Sequence, residues 1–333
     1  MPQESPQREH IRRIRREKFG LADDGTRLRE NSLEQDLRNA LHRLSQDLYS
    51  NVHHFILELI QNAEDNDYAS GDAKLIFELR SDDPTSTPGS RGCLCVLNNE
   101  TGFASHHVAS ICAVGQSTKS SQQGYIGEKG IGFKSVFVVS PRPHIFSKGY
   151  QFYFRKPDNE DALGYIVPHW KEPPPDCVAQ SNATTTLLLP LEANWREDIA
   201  KKLRVIEPES ILFLKKLKGI RVAIPEEAFD QTVLKDQDEG GRFVTLVAGG
   251  VEHPYFVSRK PFLRPAGLIE KDRAGIAERE VVVALPLNES ANCDGRVFAF
   301  LPTEHRSGLP FLVNADFLLS ANRESIHFNY QWG

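Results

Sequence analysis

The chain has 333 residues, a formal net charge of −5, and 40% apolar residues, of which the aromatics make up 9% of the chain. It is long enough for two domains and apolar enough to fill a sizeable core. The mildly acidic balance gives no general pull toward nucleic acid or anionic lipid, so a nucleic-acid partner is not expected. No run of 18 apolar residues could span a membrane, and the charged first 18 residues do not read as a signal peptide. The five cysteines (Cys93, Cys95, Cys112, Cys177, Cys293) are odd in number and scattered. They read as core thiols in a reducing compartment, cytoplasmic or nuclear.

Residues 8 to 18 (REHIRRIRREK) form a dense basic cluster with Ile11 and Ile14 at helical spacing, which predicts an amphipathic helix with a solvated basic side. A nuclear address or a nucleic-acid contact is the other reading of the same charges. Gly20 to Arg29 is a polar connector, and Leu33, Leu37, Leu41, Leu44 and Leu48 predict a buried helix over 32–50. The next helix carries Glu58-Leu-Ile-Gln-Asn62-Ala-Glu-Asp65. At about 100° per residue, Glu58, Asn62 and Asp65 share one narrow face, while Ile56, Leu59, Ile60 and Ala63 cluster opposite. The row fits an ordinary surface helix. It also suits a metal-bound polyanion, with an amide oxygen for the cation and a carboxylate to take a proton from water.

Strands are predicted at Lys74 to Leu79 and Cys93 to Leu97, joined by a turn-rich stretch, and the second delivers Asn98-Asn-Glu-Thr-Gly102-Phe103 at its end. Residues 116–124 (QSTKSSQQG) form a polar loop. Then comes Gly127-Glu-Lys129-Gly130-Ile131-Gly132-Phe133-Lys-Ser135, a tight glycine loop leading into an apolar segment. Its glycines let backbone N–H groups approach phosphate oxygens, although its spacing is neither that of a Walker loop nor that of a dinucleotide fingerprint. Strands follow at Gln151 to Phe154 and Thr184 to Leu191, then a helix over 195–218. Further strands are predicted at Ile220 to Ile224, Phe243 to Val247, Glu280 to Leu285 and Val297 to Leu301.

The Glu-Asn-Asp helix together with the glycine loop resembles the N-box and glycine-rich box of the Bergerat-fold (GHKL) ATPases. The runs LYSNVHHFILELIQNAEDNDY, VLNNETGF and GEKGIGFKSVF resemble the sacsin and "no vein" branch of that group. The resemblance implies an α+β fold, a Bergerat-type sandwich with a mixed sheet covered by helices on one face, followed by a second, smaller α/β domain. The corresponding division is a basic N-terminal helix and connector at 1–29, an ATP-binding domain at 30–218, and a second domain at 219–333. That last part resembles a chaperone middle domain and looks cut short.

The resemblance also implies roles. ATP and Mg²⁺ would be bound, with Asn62 as the magnesium ligand, Glu58 as general base and Asp65 beside the nucleotide. The triphosphate would lie against Gly127, Lys129, Gly130, Ile131, Gly132 and Phe133. Lys119 would belong to a lid, or simply to a mobile loop. Asn98, with Gly102, stands where the group has an adenine-binding aspartate, and Glu100 stands where it has a glycine. An amide there loses charge assistance, about 1 kcal/mol or roughly fivefold in affinity. Thr185 would back up the adenine acceptor, or serve only as a β-former. Arg323 would reach the γ-phosphate, or pair with Glu324. The expected activity is slow hydrolysis driving a chaperone-like cycle, with client proteins and a nucleotide-dependent dimer as partners and no membrane. The alternative is a nucleotide-binding pseudoenzyme or scaffold. No helical hairpin presents His42, His53 or His54 as a histidine kinase would require.

Overall fold

The computed structural model describes residues 4–27, 52–69, 72–113, 132–157, 163–263, 278–288, 294–317, 319 and 326. Helix α1 (Pro6–Arg13) starts at Ser5, whose side chain accepts the Arg8 N–H at 3.2 Å, with proline in the first turn, where a missing N–H costs nothing. It runs on as a wider turn over Ile14–Lys18. Ile11 and Ile14 are buried as expected, but the basic side is only partly solvated. Arg15 is buried and donates to the Pro168 carbonyl at 2.9 Å, and Arg8 pairs with Glu172 at 2.9 Å. These bonds fasten α1 to the body of the molecule.

Helix α2 spans Val52–Glu64 and is followed by strands β1 (Ala73–Arg80) and β2 (Cys93–Asn98). Helix α3 (Ser105–Ile111) and a 3₁₀ segment (Gly132–Val138) lead to β3 (His144–Ser147), β4 (Tyr150–Tyr153) and β5 (His169–Trp170). Then come α4 (Asp176–Ala179), β6 (Thr185–Pro190), α5 (Arg196–Arg204) and β7 (Leu217–Ile224). The remaining strands are β8 (Phe229–Gln237), β9 (Phe243–Ala248), β10 (Val251–Leu263), β11 (Glu278–Pro286), β12 (Arg296–Ala299), β13 (Leu301–Arg306) and β14 (Leu312–Ala315).

All of these strands join one mixed sheet, in the order β13-β12-β14-β11-β10-β9-β8-β7-β1-β2-β6-β3-β4-β5. The β1–β7 and β12–β14 pairs are parallel. The architecture is mixed α+β, as the sequence implies. The boundary expected between residues 218 and 219 falls within β7, which is bonded to β1 on one side and β8 on the other.

Alternation dictates how β1 is buried. Ala73, Leu75, Phe77 and Leu79 point into the core, and the residues between them are more exposed. That core is closed by Phe55 and Ile60 of α2, Phe137 of the 3₁₀ segment, and Ile199 and Leu203 of α5. A smaller cluster holds Cys93, Cys95, Phe146 and Leu188, with Cys177 and Val178 of α4 packed on it. The four described cysteines are free thiols, three of them buried. The helix expected over 195–218 ends at Arg204. Pro208 opens a 3₁₀ turn (Pro208–Ile211), since its ring clashes with a continuing helix, and Leu217 already belongs to a strand. Among the described residues no helix is long and apolar enough to cross a membrane.

His144, at the start of β3, is 2% exposed, and neither ring nitrogen has a hydrogen-bond partner. Tyr153 packs on it at 5.0 Å between ring centroids. Burial, then Arg142 and Lys171, hold its pKa down to about 3. The folded state therefore requires the neutral ring. Its contribution is constant above the ordinary pKa of 6.5 and is lost as pH falls from there toward 3, by up to about 1.4 kcal/mol per pH unit. Urea unfolding of the parent and of His144→Phe at pH 7.5, 6 and 5 checks this. The parent should lose stability relative to the variant as pH falls, and a pH-independent difference would contradict the assignment.

Candidate functional site

Helix α2 buries its apolar stripe as its sequence dictates, with Ile56, Leu59, Ile60 and Ala63 all at 4% exposure or less. The opposite row is enclosed too. Glu58 and Asp65 are buried at 5% and 4% exposure, and Asn62 is half-buried. The row of carboxylate, amide and carboxylate thus faces the interior of the molecule, where charge acts through less water.

The last turn of α2 is fixed by Glu64. Its carboxylate accepts the backbone N–H groups of Lys215 (2.6 Å), Lys216 (3.0 Å) and Leu217 (2.9 Å), the residues that open β7. The Lys216 ammonium reaches back to the Asn66 carbonyl at 2.6 Å and to Asp67 at 3.2 Å. Nothing in the helical pattern singles out Glu64, because its partners are more than 150 positions away.

The turn after β2 is tied to the same end of α2. The Thr101 N–H donates to the Asp67 carbonyl at 2.8 Å. Asn98 donates through its amide nitrogen to the Tyr68 hydroxyl at 2.8 Å, and that hydroxyl donates to the Ala63 carbonyl at 2.8 Å. The Asn98 side-chain oxygen accepts the Glu100 N–H at 2.7 Å, closing a turn on its own backbone. Asn99 secures the start of β1, accepting the Lys74 N–H and donating to the Asp72 carbonyl, both at 2.8 Å.

Glu100 is 4% exposed. One carboxylate oxygen accepts the Gly102 N–H at 2.8 Å, and the other accepts the Thr185 hydroxyl. Thr185 and Ser147 lie 2.6 Å apart, and the Ser147 oxygen accepts the Phe103 N–H at 2.8 Å. Since the single Thr185 proton goes to Glu100, Ser147 donates to Thr185, and the hydroxyls form a directed relay ending on the carboxylate. Gly102 has φ +89, and a Cβ there would stand 2.8 Å from the Lys148 Cβ. Only glycine fits that close approach at that backbone angle.

Of the glycine-loop residues, Gly127, Lys129, Gly130 and Ile131 lie outside the described residues, as do Lys119 and Arg323. The described part begins at Gly132, which opens the 3₁₀ segment against α2. Phe133 is half-buried, 6.1 Å from Phe154 between centroids. The next residue, Lys134, turns inward. Its ammonium donates to the Ile111 carbonyl at 2.7 Å and the Tyr165 carbonyl at 2.6 Å, and lies 4.6 Å from the Phe154 ring centre. Burial pushes its pKa down to about 7. Its donors thus brace the loop's exit.

Residues 31–169 match the family model described as Sacsin domain. The chain is 34% identical to Protein NO VEIN of Arabidopsis thaliana over 348 aligned positions, covering 96% of this chain and 12% of that protein. It therefore spans about an eighth of the length of the curated relative it matches. A solved structure, the B-subunit of the DNA gyrase from Myxococcus xanthus, is similar at 12% identity and a TM-score of 0.44, covering 90% of this chain and 91% of that one. The resemblance to the sacsin and "no vein" branch read from the motifs is what these comparisons find.

Removing the Glu64 carboxylate leaves three N–H groups, that of Leu217 buried and those of Lys215 and Lys216 partly so, short of an acceptor. Glu64→Ala should cost on the order of 3 kcal/mol in urea unfolding. Glu64→Gln, which keeps one acceptor oxygen, should fall between it and the parent. An unchanged midpoint for the alanine variant would show that water replaces the carboxylate.

Proposed function

We propose that this chain binds ATP with Mg²⁺ and hydrolyses it slowly, with the conformational output of a chaperone-like cycle. The observation that carries the reading is the convergence of three separate segments. The helix that carries the Glu58-Asn62-Asp65 row is bonded at its C-terminal end, through Ala63, Tyr68 and Asp67, to the Asn98–Gly102 turn, and Thr185 on β6 is bonded to Glu100 in that turn. The sequence singled out the helical row for the magnesium ion and the attacking water, and the turn and Thr185 for the base.

The donor chemistry fits the metal. Among the described residues no group of three or more His, Cys, Asp or Glu side chains is arranged to hold a metal ion. Magnesium commonly takes only one or two protein oxygens and completes its shell with water and substrate phosphates, so the single amide oxygen of half-buried Asn62 suffices. The bound ion would neutralise charge on the phosphates. Glu58, a turn before Asn62, would orient the attacking water and accept its proton. Arg323 and the glycine loop with Lys129 would complete the phosphate environment. Under this reading residues 30–218 hold the nucleotide, and 219–333 carry the conformational change to a partner, either a client protein or a second copy of the chain. The compartment is the cytosol or nucleus.

A second reading, a switch that holds nucleotide without turnover, is favoured by the burial of Glu58, which stands closed to bulk water. The test is equilibrium binding and turnover of Mg-ATP by the parent, Glu58→Ala and Asn62→Ala. Hydrolysis predicts that Glu58→Ala keeps binding but loses turnover by about 100-fold or more, and that Asn62→Ala loses magnesium-dependent binding. Binding without turnover in the parent establishes the switch, and no binding overturns both readings.

A further inference from the structure

Asn98 occupies the position from which the sequence resemblance expects the base of the nucleotide to be read, yet each end of its amide already holds a bond within the protein, leaving one neutral acceptor position against two anionic ones on Glu100. The amide nitrogen is on Tyr68 and the amide oxygen is on the Glu100 N–H. The carboxylate two residues on is differently placed. Glu100 is 4% exposed, and among the described residues no Lys, Arg or His pairs with it. Its two bonds come from neutral donors, the Gly102 N–H and the Thr185 hydroxyl, one to each oxygen. A carboxylate has about four acceptor positions, so one on each oxygen is left for an incoming donor. Enclosing a carboxylate with only two neutral donors is costly, and such groups gather where a ligand completes the shell.

Thr185 adds an independent argument. The resemblance expects this hydroxyl to back up the adenine acceptor, and its proton is directed at Glu100. Across the β2–β6 ladder the Cα of Thr185 is opposite Asn98, so Asn98 is its strand neighbour, and the hydroxyl nevertheless passes it by. The relay behind Thr185, through Ser147 to the Phe103 N–H, holds the hydroxyl in that direction. Gly102, with no room for a side chain, lets its own N–H close on the same carboxylate.

We infer that Glu100, supported by Thr185 and the Gly102 N–H, is the acceptor for the exocyclic amine of a purine nucleotide, and that Asn98 shapes the turn that presents it. This rests on the nucleotide-binding reading above and deepens it. An anionic acceptor favours a base carrying an amine over one carrying a carbonyl at the same position. The chain would therefore discriminate adenine from hypoxanthine through a charge-assisted bond, and the asparagine in the aspartate's place would weaken nothing.

The experiment is equilibrium titration of the full chain with Mg-ATP and Mg-ITP, which differ in that amine. The variants are Glu100→Gln and Asn98→Ala, each with a thermal melt. The parent should prefer ATP by about tenfold or more. Glu100→Gln should lose most of that preference while its ITP affinity stays within about threefold, and Asn98→Ala, which loosens the turn but removes no group that touches the base, should weaken both nucleotides together and shift the preference less than Glu100→Gln does. If Glu100→Gln does not fold, Glu100→Asp, whose shorter side chain draws the carboxylate away from Thr185, should lower the preference in the same direction. A Glu100 variant that folds and keeps the parent's preference overturns the inference and leaves nucleotide binding standing. A preference lost in Asn98→Ala alone returns the role to Asn98. A parent that binds neither nucleotide overturns the proposed function, and this inference with it.

Discussion

The arrangement of the molecule hangs on one buried carboxylate and the three consecutive N–H groups it accepts. Glu64 ends α2 and holds the chain where residues 215–217 turn into β7. A strand about to enter a sheet between two neighbours must have its first amides satisfied away from water, and a charged acceptor does this more strongly than a carbonyl. The carboxylate is in turn stabilised by the amides, so neither partner is left buried alone. Because β7 lies against β1, and the turn after β2 is bonded to Asp67 just past the helix, the last turn of α2 is the meeting point of helix, sheet and turn.

That junction explains why the polar row of α2 can be interior. A helix with Glu58, Asn62 and Asp65 on one side would ordinarily turn that side to solvent. Here the Glu64 clamp and the Tyr68 bridge from Ala63 to Asn98 hold the far end in place. Burial then makes the row a fixed set of charges and dipoles, which under the proposed function would meet a metal-bound polyanion with little reorganisation. The same low-water surroundings act on other groups. Lys134 and His144 both have their charged forms disfavoured by burial, the first while bracing carbonyls, the second with its ring nitrogens unpartnered.

Local periodicity made much of this legible. The apolar positions of α2, the alternation of β1, the strands around 93–97 and 184–191, and the buried cysteines all follow from spacing alone. Strand β10 was hidden because Pro254 and Pro261 lie within it and proline argues against a strand; β8 was hidden by its exposed polar positions. Pro208 was a visible signal that the helix after 195 had to stop, and the leucines beyond it masked that signal. Glu64 and Glu100 were beyond reach for a different reason. The partners that give each its meaning are backbone N–H groups and a hydroxyl, which every stretch of sequence offers, and only the fold says which ones arrive. For Glu100 there was a trace, a charge standing where the related motif has a glycine.

The parallel join between β1 and β7 carries a practical consequence for anyone dividing this chain. A piece ending at residue 218 would keep β2 beside β1 but leave only Leu217 and Lys218 of β7 on its other side. Five of the eight residues of β1, Lys74 to Glu78, would face outward on that side as an open row of donors and acceptors, with Leu75 and Phe77 losing the neighbouring strand. Such an edge is a template for pairing with another copy, and a fragment cut there is suited to sticking to itself rather than to reporting on the candidate site.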